Sequence, residues 1–294
     1  MSSIAELRKY QYNYHCGNYP EVNSFIRYPY TWLKARFYME ASAVLVYFLL
    51  KTRIKPNTIT LFYAFCGVVG GILLSIPTNT TILLALFIFF TKGILDWSDG
   101  HYARVIKQTS FTGAVLDPYG ALVNSLGFWI GLSFFMAHLS QDQIYLYLAP
   151  VYPALLAAGV LAFGNNFIIG TILRDGPAKL GLLAGQKKAV INERSSATRP
   201  WHARSRAFFM DLIARGFPDD RARTVDLICL FIILVMFTQL DLAWAIYLIY
   251  FVFIAKKGLS FLYGLFLVYK KGWIENTASQ LIDKVNNNAN EVKK

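Results

Sequence analysis

The chain has 294 residues, 55% of them hydrophobic, 16% aromatic and only 16% charged, with a net charge of +12. A soluble domain carries roughly a quarter charged residues, so a chain with a mean hydropathy of +0.40 cannot cover itself with a water-facing surface. The composition excludes a disordered chain, and glycines without a G-x-y period exclude a fibrous one; an all-α, polytopic integral membrane protein remains.

Residues 1–35 are polar and aromatic without an apolar core run, so no cleavable signal peptide is visible. The run 37–50 has Arg36 and Glu40 at its start and Lys51 and Arg53 at its end. With about 14 apolar residues it is short for a span, and the expectation is an interfacial amphipathic helix on the inner leaflet. Six longer runs follow, at 58–76, 79–96, 112–137, 144–172, 225–240 and 242–269. Each approaches the roughly 20 residues that cross about 30 Å of hydrocarbon, which predicts six transmembrane helices.

The short connectors at 77–80, 139–143 and 238–241 contain no Lys or Arg. Eight basic residues precede the first span and eleven lie between Arg174 and Arg223. The positive-inside rule therefore places both termini and the long middle loop in the cytoplasm. The positive charge follows from topology, and nucleic acid is not an expected partner. The predicted division is a cytoplasmic N-terminal segment with the interfacial helix (1–55), a six-helix membrane domain (56–271) with a basic loop at 173–224, and a polar tail (272–294). That loop is expected to contact anionic lipids of the inner leaflet. Cys16, Cys66 and Cys229 show no C-x-x-C spacing, and the four histidines are scattered, so neither a disulfide framework nor a zinc site is expected.

Membrane spans rarely tolerate carboxylates, which singles out Lys92–Arg104 at the cytoplasmic end of the second run. On a helix, Asp96, Asp99, Gly100, Ala103 and Arg104 fall on one face, placing two carboxylates beside two residues small enough for a ligand to approach the backbone. In the third run Gly113, Asp117 and Ala121 recur every fourth residue. Three acidic side chains from neighbouring helices suit a hard divalent cation with oxygen ligands, Mg²⁺ or Mn²⁺, and hence a phosphate-bearing ligand. The alternative is structural: Lys92 pairs with Asp96, Arg104 pairs with Asp99, and Asp117 caps a helix.

The string Asp96-x2-Asp99-Gly100-x2-Ala103-Arg104-x8-Gly113-x3-Asp117 resembles the signature of the CDP-alcohol phosphotransferases (CDP-alcohol phosphatidyltransferases), D-x2-D-G-x2-A-R-x8-or-9-G-x3-D-x3-D. Pro56-Asn57-Thr58-Ile59-Thr60 is similar to the P-N-x-L-T segment that opens that family's first span. The resemblance implies a transferase that moves a substituted phosphate from a CDP-linked donor to a hydroxyl acceptor and releases CMP. It implies that Asp96, Asp99 and Asp117 ligate metal, two ions at the full family site. It further implies that Gly100, Ala103, Arg104 and Gly113, aided by Pro56 and Asn57, bind the nucleotide. A homodimer and a cytoplasmic active site are also implied.

One position departs from the pattern. The signature's last Asp, the family's proposed general base, is Ala121 here. Asn124, one turn further on, can accept a hydrogen bond but takes no proton at neutral pH. Turnover is therefore expected to be weak or absent, and a non-catalytic nucleotide- or lipid-binding relative is the alternative. For the acceptor, Asn165, Asn166 and Arg174 are candidates, with Lys256 and Lys257 in the sixth run. Each also has a structural explanation, as a helix-to-helix hydrogen bond, an interfacial anchor or a snorkelling lysine.

Overall fold

The computed structural model describes residues 3–19, 22–26, 28–163, 217–219, 222–238 and 240–271. All regular structure among them is helical: α1 (Ile4–Asn18), α2 (Pro29–Leu49), α3 (Pro56–Leu74), α4 (Asn79–Val105), α5 (Phe111–Ser140), α6 (Ile144–Leu148), α7 (Val151–Phe163), α8 (Ala222–Phe237) and α9 (Ala243–Lys271). Four of these, α3, α4, α5 and α9, are long and apolar enough to cross a membrane, as expected of an integral membrane protein. The expected fourth span is divided at Ala149 and Pro150, because Pro150 has no N–H to continue the ladder of α6. The expected fifth corresponds to α8, whose described helix is 16 residues long.

The chain forms two compact units, Met1–Pro150 with Asp220–Tyr247, and Val151–Asp219 with Leu248–Lys294. In the second, Tyr152 meets Phe253 edge-on at 5.1 Å. Lys256 there donates to the Pro218 carbonyl at 2.8 Å rather than snorkelling outward.

The first unit is built on close contact between α3 and α5. A Cβ on Gly71 would strike the Gly127 carbonyl, one on Gly127 the Gly67 carbonyl, and one on Gly131 the Gly71 carbonyl. The four glycines occupy two i, i+4 pairs, so the two backbones touch directly. Between lipid-facing helices, where burial of apolar surface gives little drive, this small-residue contact supplies the packing. Across the pair lies α4, whose Phe89 fills the space beside Gly70 and meets Phe128 of α5 edge-on at 5.0 Å.

Against α4 lies α2, which begins eight residues before the expected run at Phe37. Its buried stripe, Ala35, Tyr38, Met39, Ser42, Ala43, Val46 and Leu49, follows helical spacing. The Tyr38 ring occupies the place where a Cβ on Gly93 would stand. Lys34 of α2 pairs with Asp226 of α8 at 2.6 Å, and the Tyr30 hydroxyl donates to the same carboxylate at 2.7 Å. The first helix, α1, was not expected from the sequence. Ser3 caps it by accepting the Glu6 N–H at 3.2 Å. Leu7 enters the core cluster of Ala43, Val46, Ile59 and Tyr102, and Arg8 pairs with Glu40 at 2.6 Å.

Candidate functional site

Three helix ends meet at one end of the first unit: the start of α3, the end of α4 and the start of α5. Although the apolar run predicts a span ending near residue 96, α4 continues to Val105 and carries the whole Asp96–Arg104 motif in helical form. Lys107 then adopts the left-handed conformation (φ 57°), and the Gln108 N–H returns to the Ala103 carbonyl at 2.9 Å, closing the helix end. Ser110 caps α5 by accepting the Gly113 N–H at 3.0 Å. Gly113 lies so near Asn57 of α3 that a Cβ there would stand 3.2 Å from Asn57 Oδ1. Thus Asn57 and Gly113, predicted from separate motifs, are brought together, with Pro56 buried beside them.

Asp99 is 7% exposed, and both of its oxygens are held. Oδ2 accepts the Thr60 hydroxyl from α3 and Oδ1 accepts the Gly100 N–H. Asp96 stands one turn earlier, half-buried, and Asp117 is exposed in the second turn of α5. Among the described residues neither Asp96 nor Asp117 has a hydrogen-bond or ion-pair partner. Asp96 feels the charges of both Asp99 and Asp117, and Arg104 acts on Asp99 and Asp117 without pairing to either.

The structural alternative for these carboxylates is therefore not realised. Ion pairs among the described residues join Arg8 to Glu40 and Lys34 to Asp226; neither Lys92 nor Arg104 takes part. Lys92 is buried, with its ammonium 5.6 Å from the centre of the Phe89 ring. Asp117 lies inside α5, where Ser110 is the cap, and is followed by Pro118, whose missing N–H leaves the Ala114 carbonyl without its helical donor.

The carboxylates supply hard oxygen donors that no base among the described residues compensates directly, which suits Mg²⁺ or Mn²⁺ in kind. Among the described residues, though, no three His, Cys, Asp or Glu side chains close into a set arranged to hold an ion. Donor chemistry fits the metal, while a complete protein cage is absent there.

Gly100 was expected to leave the backbone open to a ligand. Instead its space is used within the chain: a Cβ there would stand 3.0 Å from Nη1 of Arg104, which folds back over it. Ala103 is half-buried and Ala121 is exposed, one turn beyond Asp117. Asn124 is fully buried; its amide donates to the Tyr63 carbonyl at 3.2 Å and packs on Gly67. It belongs to the α3–α5 contact and offers nothing in place of the missing carboxylate. Asn165, Asn166 and Arg174 lie outside the described residues.

Sequence reasoning missed Thr60 as the partner of Asp99, and it missed the contribution of α1. Gln11, Tyr14 and His15 of that helix surround Arg104 and Trp97. The available signal for α1 was Ser3 followed by Glu6, a capping-box spacing.

Residues 53–171, which contain all three helix ends, match the CDP-alcohol phosphatidyltransferase family. A 43-residue stretch is 44% identical to the CDP-diacylglycerol–glycerol-3-phosphate 3-phosphatidyltransferase of Haemophilus influenzae, covering 15% of this chain and 23% of that protein. No solved structure matches the chain.

Proposed function

We propose that this membrane protein is built to transfer a substituted phosphate from a CDP-linked donor to an acceptor hydroxyl, with release of CMP. The observation that supports this reading is that the end of α4 and the start of α5, which carry Asp96, Asp99 and Asp117, come together at one end of the first unit, with no base among the described residues paired to any of the three. In this reading six helices span the membrane, α2 lies at its inner surface, and the site opens to the cytoplasm.

Asp96, Asp99 and Asp117 would hold Mg²⁺ or Mn²⁺, which when bound supplies Lewis-acid neutralisation of charge on the donor's pyrophosphate. Thr60 and the Gly100 N–H fix the Asp99 carboxylate, so its orientation does not have to be established during the reaction. Arg104 pairs with no carboxylate among the described residues and would meet a phosphate anion. Pro56, Asn57 and Gly113 border the same space and would bind the nucleotide together with Ala103, while Gly100 makes room for the Arg104 guanidinium. The acceptor oxygen attacks the phosphorus that carries the alcohol substituent, the P–O bond to CMP breaks, and CMP leaves with that electron pair.

The hydroxyl proton has no carboxylate to receive it at position 121. Exposed Ala121 favours a second reading, a chain that binds CDP-linked compounds with little or no turnover. The test is CMP release from CDP-diacylglycerol and from soluble CDP-alcohols over a pool of hydroxyl acceptors, with Mg²⁺ or Mn²⁺ and with a chelator. Slow, chelator-sensitive release supports transfer. Binding of CMP without release supports the second reading, and a folded protein that does neither contradicts both.

A further inference from the structure

We infer that the N-terminal helix α1, outside the matched segment, is a working part of the donor site, in which Gln11 and Tyr14 are positioning residues for the Arg104 guanidinium. This rests on the reading of Arg104 as a nucleotide-binding group. Arg104 is held on three sides. Its Nη2 donates to Gln11 Oε1 at 3.3 Å, its guanidinium carbon lies 3.9 Å from the centre of the Tyr14 ring, and its Nη1 rests over Gly100. The missing Cβ at position 100 is what lets the guanidinium fold back this far.

Gln11 can serve Arg104 in one orientation only. Its side chain is fully buried, and its Nε2 donates to Ser42 Oγ of α2 at 3.4 Å. Ser42 Oγ in turn donates to the Met39 carbonyl at 3.2 Å. With its hydrogen spent there, the Ser42 oxygen can only accept, so the Gln11 amide must turn its N–H toward Ser42 and its carbonyl toward Arg104. Two helices that carry none of the signature thereby fix one residue that does. The Tyr14 face adds a cation–π contact in a half-buried setting, where such contacts are stronger than at an open surface.

A guanidinium is a planar fork, and its value toward phosphate depends on that plane being set beforehand. Held by Gln11 and Tyr14 rather than by Asp99 or Asp117, Arg104 keeps its charge for an incoming anion. The helix thus works as a brace for the donor site, and its loss is felt as weaker nucleotide binding.

The test is equilibrium binding of CMP, with Mg²⁺, to the purified full chain. Tyr14→Leu and Gln11→Leu are each expected to raise Kd about tenfold, whereas Tyr14→Phe, which keeps the ring, stays within about twofold. Arg8→Ala removes the exposed contact of α1 with Glu40 and is expected to leave Kd unchanged. Gln11→Leu is close in volume to the original residue, so it carries the test where Tyr14→Leu does not fold. If the unaltered chain binds CMP and both leucine variants bind it equally well, the brace is overturned while the proposed reaction stands. Equal weakening by Arg8→Ala and Tyr14→Leu also overturns it, since α1 would then act through packing alone. If the unaltered chain binds no CMP, the proposed function itself fails.

Discussion

The hydroxyl of Thr60 donates to the carboxylate of Asp99, 39 residues away, and ties the start of α3 to the signature on α4. Thr60 is 4% exposed, so no water is at hand to replace it. Its methyl also packs 3.3 Å from the Cβ position of Gly120 on α5. One small side chain therefore touches all three helices that form the site.

Replacing Thr60 by Val keeps the shape and removes the donor. A buried acceptor left without its partner costs about 1–3 kcal/mol, and the Asp99 carboxylate loses its fixed orientation. CMP binding with Mg²⁺ is expected to weaken by about tenfold or more in Thr60→Val and to be largely retained in Thr60→Ser. Equal affinity of the Val variant and the unaltered chain would show that this bond has no part in the site.

Gly127 tests the packing. Gly127→Leu places a side chain where the Gly67 carbonyl stands and is expected to cost about 2–3 kcal/mol, seen as a lower Tm in detergent. Gly258, by contrast, has no atom of the described residues within 4 Å of its Cβ position. Gly258→Ala is expected to be neutral or to stabilise by about 0.5–1 kcal/mol, because it stiffens a helix without a clash against any described residue.

His15 makes the docking of α1 sensitive to acid. Burial, and then the neighbouring Arg104 charge, push its imidazole from 6.5 down to about 4, and it stacks on Trp97 at 4.2 Å. Between these two values the undocked helix binds more protons than the docked one, so docking is strongest above about pH 6.5 and weakens as pH falls toward 4. Hydrogen exchange at the α1 amides is expected to speed up over that window relative to α3. His15→Phe keeps the stacking and should lessen the acid sensitivity, with His101, stacked on Tyr10 of α1, left in place; an unchanged profile in that variant would assign the effect to another group.

Much of the site was legible because its residues recur at helical spacing next to apolar runs. Asp96, Asp99 and Asp117 stand out as carboxylates where lipid-spanning segments exclude them, and α3, α4 and α5 follow from their length. The partner of Asp99 was not legible, since a threonine in an apolar run gives no hint of which helix it faces. Nor was α1, whose buried face carries Gln11, Tyr14 and His15 beside Leu7 and so lacks an apolar stripe. The pairing of Arg104 with Asp99, reasonable on sequence spacing, loses to Gln11 and Tyr14, which are 93 and 90 residues away along the chain.

The most direct test of the account is the rate of metal-dependent CMP release by the unaltered chain and by Ala121→Asp, measured side by side with the same donors and acceptors. A general base contributes about 10²- to 10⁴-fold, and the carboxylate in the variant stands one turn beyond Asp117. Release is expected to be at least about a hundredfold faster from Ala121→Asp. A folded, CMP-binding Ala121→Asp protein that releases no CMP from any CDP-linked donor would contradict it.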